Sequence, residues 1–167
     1  MHPNVRVQVC VWPSFLQPIS GPQTEEGEYY YRQLRGWAER KCRLGLWLYD
    51  LYAAQTPFDV SIRAMALNAR TFRDLGSDYL LHDCGGARCW SNVPMATWCW
   101  MQLSWDPDRD YRELITDFCD HYYGAAGARM AEVFVGIEGR LETTGAVCKE
   151  EAYTTEFVAE LKAKLQE

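Results

Sequence analysis

The sequence has no long apolar run, no basic stripe and no regular cysteine spacing, and each absence excludes a class of protein. No run approaches the ~20 apolar residues that a membrane helix needs, so no membrane contact is expected. Lys and Arg number 17 against 23 Asp and Glu, which gives a net charge of −6. This balance argues against a nucleic-acid partner, because phosphates are bound by clustered basic side chains. The seven cysteines are odd in number and scattered, so they do not indicate a disulfide framework.

Targeting and cofactor signals are also missing. The amino-terminal residues MHPNVRV lack the basic and apolar regions of a signal peptide. A strand-like run starts almost at once, so we expect that the first part of a longer protein is missing. The compartment stays open, with a secreted or periplasmic parent protein as one alternative. Neither a glycine-rich phosphate loop nor a nucleophile elbow occurs, and no cofactor is expected.

One pattern occurs three times in the first two thirds of the chain. A short run rich in Val and Leu ends in aromatic, Asp, His or Cys residues, and a loop with Pro or Gly and a helix-like segment follow. Strands that alternate with helices favour βαβ units and a parallel sheet. The predicted strands are residues 5–12, 44–51 and 79–83.

Apolar residues at helical spacing follow each strand and continue to the end of the chain. Gly76 is predicted to end one helix, Asn92 to cap the next, and Asp110 to cap a third with Glu113. The predicted helices cover residues 28–41, 60–75, 93–104, 111–123, 127–141 and 155–165. Three tryptophans are predicted to pack in the core or between helices: Trp98, Trp100 and Trp105.

Several segments together resemble a known family. Trp105–Asp110 (WDPDRD), Phe118 and Tyr122–Ala126 (YYGAA) are similar to the closing pattern of a family of glycoside hydrolase-like barrels, long classed as a domain of unknown function. Trp47–Asp50 (WLYD) resembles that family's penultimate strand end, and residues 68–76 resemble its following helix and turn. Some relatives are endo-β-N-acetylglucosaminidases. More remote relatives are β-hexosaminidases and α-glucuronidases.

The resemblance implies a fold and a domain organisation. Residues 1–105 are expected to form the last three βα units of an incomplete (β/α)8 (TIM) barrel, because a complete barrel takes about 250 residues. Residues 106–167 are expected to form a helical extension that packs on it. The missing amino-terminal half of the barrel is then a partner from the same protein. It is expected to hold the main catalytic carboxylate pair. Many relatives carry Glu at the last strand end, where this chain has His82-Asp83-Cys84.

The candidate catalytic residues lie at the predicted strand ends, where sites form in α/β folds. They are Tyr49, Asp50, His82 and Asp83. Glycoside hydrolysis uses two carboxyl groups, and some 2-acetamido glycosidases use a carboxylate and a Tyr to orient the substrate's amide. Tyr49 and Asp50 fit that orienting role. The alternatives are that Asp50 caps the following loop, that Tyr49 fills the interior, and that His82 is an interior hydrogen-bonded side chain.

Aromatic and polar side chains near the strand ends are the candidate sugar contacts. Asn92 has a competing role as a helix cap. The residues assigned to substrate binding are Trp12, Trp47, Tyr52, Arg88, Trp90 and Asn92. A zinc site at His82, Cys84 and Cys89 is not expected, because the spacing matches no common pattern and a fourth ligand is missing.

Two functions follow as hypotheses. The first is that the chain is the carboxy-terminal fragment of a carbohydrate-active glycoside hydrolase that cleaves next to an N-acetylhexosamine, with an oligosaccharide or glycan as substrate. The second is a non-catalytic carbohydrate-binding or scaffold remnant. Under the first hypothesis we expect the isolated chain to hydrolyse no N-acetylhexosaminide and the chain extended upstream to do so.

Overall fold

The computed structural model describes residues 5–12, 14–49, 51, 54, 56–83 and 93–166. The strands in this part are β1 (Arg6–Val11), β2 (Arg43–Leu48) and β3 (Ser77–His82). The α-helices in it are α1 (Glu25–Glu39), α2 (Ile62–Asp74), α3 (Pro94–Trp105), α4 (Tyr111–Tyr123), α5 (Gly127–Thr144), α6 (Lys149–Ala152) and α7 (Thr155–Lys164). A short 3-10 helix, Gly124–Ala126, joins α4 to α5.

The three strands form one parallel sheet in the order β1-β2-β3. Val11 lies opposite Leu48, and Leu48 lies opposite His82, so the three strands end at the same level. An irregularity between Leu44 and Gly45 shifts the β2–β3 register near the other end. The prediction of three adjacent parallel strands is therefore confirmed.

The prediction of an incomplete (β/α)8 barrel is wrong. Helices make up 60% of the part of the chain that the structure describes, and the three strands in that part form a small open sheet that does not close. The repeated strand–helix pattern predicts parallel pairing, which open and closed α/β folds share. Closure depends on the number, tilt and stagger of the strands, and a local sequence pattern does not encode these. The observed architecture is a mixed α/β fold in which helices predominate.

Local side chains explain where the helices begin and end. Thr24 and Ser61 cap α1 and α2 by accepting hydrogen bonds from backbone N–H groups of the first turns. Asp110 caps α4 in the same way, through Arg112 N at 2.7 Å, which confirms the predicted cap, while the part of Glu113 in it stays a prediction. Gly76 has a φ of +78° just after α2, a conformation that favours glycine. Val93 stands at the N-cap position of α3 and makes no side-chain cap hydrogen bond. The predicted cap at Asn92 lies outside the described residues.

One hydrophobic core joins the sheet to the helices on both sides of Trp105. Leu44, Leu46 and Leu48 of β2 are buried in it together with side chains from α3, α4 and α5. Helix α4 packs against α2, α3 and α5. The domain boundary after Trp105 stays a prediction. In the described part of the chain, no helix combines the length and the apolar character needed to cross a membrane.

Two of the tryptophans that were predicted to pack differ sharply in their exposure to solvent. Trp100 is buried in the core, as predicted. Trp105 is 92% exposed, so its predicted packing is wrong. It is the last residue of α3, and Asp106 after it is extended, so the ring lies beyond the point where α3 meets its neighbours.

Candidate functional site

The carboxyl ends of the three strands form one edge of the sheet. Trp12 follows β1, Tyr49 follows β2 and Asp83 follows β3. Asp83 N donates a hydrogen bond to Leu48 O at 2.8 Å, so the β2–β3 ladder continues to Asp83. We call Trp12, Tyr49 and Asp83 the carboxyl edge. Ligands of open α/β sheets bind outside this end of the strands.

Aromatic rings cover the edge on one side of the sheet. The Trp12 and Tyr49 ring centroids are 5.2 Å apart, and Trp47 stacks on Tyr49 at 6.0 Å with an interplanar angle of 19°. Trp12 is 39% exposed, and Trp47 and Tyr49 are half-buried. Offset aromatic pairs at these separations stabilise each other and hold the rings in place. These three residues, the aromatic cluster, form a partly exposed surface with fixed ring positions.

The Tyr49 phenol is kept in its protonated form. Its pKa is raised, first by desolvation and then by the nearby Cys10 and Asp83 side chains. An ionised phenol would stand close to the negative charge of Asp83, which disfavours it. At neutral pH Tyr49 is therefore a hydrogen-bond donor beside a carboxylate.

The structure separates His82 from the aromatic cluster. Successive residues of a strand point to opposite faces, so His82 and Asp83 lie on different sides of the sheet. The His82 ring packs 4.2 Å from that of Trp100, which is buried in the core. This position matches the alternative of an interior histidine. The predicted catalytic role of His82 stays a prediction.

Other predicted site residues lie outside the described part of the chain, and their roles stay predictions. They are Asp50, Tyr52, Arg88, Trp90 and Asn92. Cys84 and Cys89 of the disfavoured zinc site lie outside it as well. The described residues contain no group of three or more His, Cys, Asp or Glu side chains arranged to hold a metal ion.

A second cluster of polar residues was not predicted from the sequence. Glu138 of α5 is 3% exposed, and its carboxylate faces the amino terminus of α2. It accepts hydrogen bonds from Ser61 Oγ at 2.5 Å, Ile62 N at 2.7 Å and Arg63 N at 3.3 Å. A hydrogen-bond acceptor is favourable there because the first N–H groups of a helix have no partner within the helix. Glu138 therefore ties α5 to the start of α2.

Gln17 and Arg63 extend this arrangement to the loop after β1. Arg63 Nη2 donates to Gln17 Oε1 at 2.9 Å, and Gln17 Nε2 donates to Leu141 O and Ala146 O at 2.7 and 3.0 Å. Leu141 lies in the last turn of α5, where carbonyl groups need partners from outside the helix, and Ala146 lies two residues beyond the helix end. The Glu138 cluster consists of Gln17, Ser61, Arg63 and Glu138, and all four are buried.

The electrostatics of Glu138 fit a structural role. Burial raises the pKa of its carboxyl, and the hydrogen bonds from Ser61, Ile62 and Arg63 lower it by less. The carboxylate is hydrogen-bonded to groups of its own chain and is buried from solvent. One sequence signal was available, since Glu138 is four residues after Phe134 and three before Leu141, in the apolar row of α5. A charged residue in such a row needs a buried partner.

Comparison with known proteins assigns the chain to a family. The model of a domain of unknown function, DUF4838, matches residues 1–135. The chain belongs to this family. No curated protein and no solved structure matches the chain.

Proposed function

We propose that this chain is part of a glycoside hydrolase that cleaves next to an N-acetylhexosamine, and that its carboxyl edge contacts the sugar. The aromatic cluster is the observation that supports this proposal. Its rings have fixed positions, are partly exposed and lie at the edge where α/β sheets bind ligands. The apolar C–H face of a pyranose stacks on such rings, while its hydroxyl groups need polar partners at the perimeter.

Tyr49 and Asp83 supply polar partners beside the rings. The protonated Tyr49 phenol donates a hydrogen bond to a carbonyl oxygen such as that of a 2-acetamido group. The Asp83 carboxylate accepts hydrogen bonds from hydroxyl or amide groups. Asp50, next to Tyr49 in the sequence, is the proposed second carboxyl group. In this scheme Tyr49 and a carboxylate orient the substrate's amide, which takes the place of an enzyme nucleophile.

A non-catalytic carbohydrate-binding function is the second candidate. Within the described residues, the carboxyl edge offers a single carboxyl group, that of Asp83. Glycoside hydrolysis generally requires two across the scissile bond. The described part of the edge therefore offers contacts for binding a sugar and lacks the second carboxyl group that cleavage needs.

Binding is tested by calorimetric titration of the 167-residue chain with triacetylchitotriose. Trp12→Ala removes the most exposed ring of the aromatic cluster and should weaken binding at least tenfold. Tyr29→Ala is the matched control, because Tyr29 is a similarly exposed aromatic residue on α1. It should leave the affinity unchanged. Absence of binding, or equal loss in both variants, would contradict both candidate functions.

Catalysis is tested with a chromogenic N-acetylglucosaminide and a native N-glycan. We expect the chain alone to bind without turnover and a longer natural chain that contains it to hydrolyse the substrate. Turnover by the chain alone that disappears in Asp50→Asn would place the catalytic group in this chain. Binding by both chains with turnover by neither would favour the non-catalytic function.

A further inference from the structure

A groove between α3 and α4 combines aromatic faces with polar atoms. Asp117 and His121 are four residues apart on α4, and so are Phe118 and Tyr122, so the two pairs form adjacent rows on one side of the helix. Trp98 of α3 completes the lining, and the cavity volume is about 460 Å³. Small-molecule sites commonly occupy about 300–1,000 Å³, so the groove has room for a sugar unit.

The rings of the groove form a platform. Phe118 and Tyr122 stack at a centroid distance of 4.9 Å with an interplanar angle of 19°, and Trp98 lies 5.9 Å from Phe118. Phe118 is buried and fixes the other two rings, whereas Tyr122 is 58% exposed. Hydration of the exposed Tyr122 ring is unfavourable, and a ligand whose apolar face covers the ring would release that water.

The polar atoms of the groove are hydrogen-bond acceptors. His121 Nδ1 lies 2.8 Å from the backbone carbonyl oxygen of Asp117. A carbonyl only accepts, so Nδ1 donates the proton, and in the tautomer with its proton on Nδ1 the Nε2 atom is an acceptor. The Asp117 carboxylate lies 3.4 Å from His121 Nδ1, is partly exposed and is a second acceptor. Acceptors beside stacked rings match the hydroxyl groups at the perimeter of a pyranose.

We propose that the α3–α4 groove is a second subsite for a pyranose, on a surface separate from the carboxyl edge. The pyranose would stack on Tyr122, with the Trp98 ring, tilted by 47° to Phe118, bordering it, and its hydroxyl groups would donate to Asp117 and His121 Nε2. The class of ligand rests on the proposed function, but the residues and the surface are different. Such a subsite would hold a distant part of a long glycan or keep the protein on a polymeric substrate.

The experiment follows the indole ¹H–¹⁵N resonances of the 167-residue chain during titration with triacetylchitotriose. Single Trp→Phe variants assign the Trp98, Trp12 and Trp47 peaks. The Trp98 peak should shift saturably in the wild type and in the control Tyr29→Ala. Tyr122→Ala and Asp117→Asn should each weaken the binding seen at Trp98 at least fivefold. Both positions are partly or largely exposed, so the variants should fold.

The separate resonances distinguish the two proposals. A Trp98 peak that does not move, or that saturates equally in Tyr122→Ala, would overturn the groove proposal even if Trp12 and Trp47 respond. Movement of Trp98 without Trp12 or Trp47 would support the groove and count against the carboxyl edge. A Trp98 shift that depends on protein concentration rather than on the sugar would show that a second copy of the chain covers the groove, and would overturn the proposal.

Discussion

The Glu138 cluster and the aromatic cluster use chemistry-bearing residues in opposite ways. In the Glu138 cluster a carboxylate, a guanidinium and an amide are buried and bonded to groups of the same chain. In the aromatic cluster the rings stack on each other and keep part of their surface exposed. Residue type alone would favour Glu138 as a catalytic group. Its environment shows that it holds helices together, while the half-buried rings have the surface that a ligand needs.

Replacing Glu138 should have the largest effect on stability. Glu138→Ala removes three hydrogen bonds at the start of α2 and leaves the buried Arg63 without its neighbouring charge. Each buried donor left without its acceptor costs about 1 to 3 kcal/mol, and relaxation reduces the sum, so a loss of about 3 to 5 kcal/mol is expected. The free energy of unfolding, measured in urea by circular dichroism, should fall by that amount.

Glu142→Ala is the matched control on the same helix. Glu142 is exposed and its nearest cation, Arg112, is 3.9 Å away. An exposed pair of this kind contributes roughly 0 to 1 kcal/mol. Similar losses in the Glu138 and Glu142 variants would contradict the structural role assigned to the Glu138 cluster.

Replacing Gln17 should cause the second largest loss of stability. Gln17→Ala removes the donor to the Ala146 carbonyl and the acceptor of Arg63 Nη2, whereas Leu141 O keeps its hydrogen bond from Gly145 N. Each buried polar group that loses its partner costs about 1 to 3 kcal/mol, and relaxation reduces the sum, so a loss of about 2 to 3 kcal/mol is expected. Gln8→Ala on the exposed face of β1 should change the stability by less than about 0.5 kcal/mol. A neutral Gln17→Ala would show that the loop after β1 does not depend on this residue.

Trp12→Ala should weaken sugar binding more than it lowers stability, which is the reverse of the effect expected for Glu138→Ala. Trp12→Ala should weaken chitotriose binding at least tenfold, which corresponds to about 1.4 kcal/mol. The stability of this variant should change less than that of Glu138→Ala, because the Trp12 ring is 39% exposed and its removal leaves no buried polar group in the described part of the chain without a partner. Binding and stability are measured in the same preparations. A large loss of stability with unchanged binding in Trp12→Ala would contradict the roles assigned to the two clusters.

The smallest expected effect concerns pH. Because burial raises the pKa of Glu138 above its ordinary value of 4.5, the folded state holds this proton more tightly than the unfolded state. The contribution to stability is complete below pH 4.5 and declines as pH rises through the folded-state pKa. Relative to Glu138→Gln, the wild type should therefore lose stability above pH 4.5, by at most about 1.4 kcal/mol per pH unit. If the free energy of unfolding of the wild type, relative to that of Glu138→Gln, rises with pH, the direction of the Glu138 pKa shift is contradicted.

Local signals predicted the secondary structure well. The six predicted helices match observed ones to within three residues at each end, and α4 has the predicted bounds. Helical spacing, the cap at Asp110 and the glycine at position 76 act within a few residues, so the sequence displays them directly. The same is true of the three strands, whose Val and Leu runs stand out.

Features that depend on distant parts of the chain were not predicted correctly. Open and closed sheets share the same local pattern, so the barrel could not be told from the observed small sheet. The Glu138 cluster joins residues 17, 61, 63 and 138, and no local pattern links them. Trp12 and Tyr49 were chosen because they follow strands, and parallel pairing brings them to one edge. His82 followed the same rule, but the alternation of side chains directs it to the core.

The most direct test of the comparison is to label the tryptophans with ¹⁹F and add triacetylchitotriose. Trp12 and Trp47 belong to the aromatic cluster, Trp100 is buried on the other side of the sheet, and Trp105 is exposed away from it. The account predicts saturable shifts of the Trp12 and Trp47 signals, with the Trp100 and Trp105 signals unchanged. Unchanged Trp12 and Trp47 signals, or equal shifts at Trp105, would contradict it.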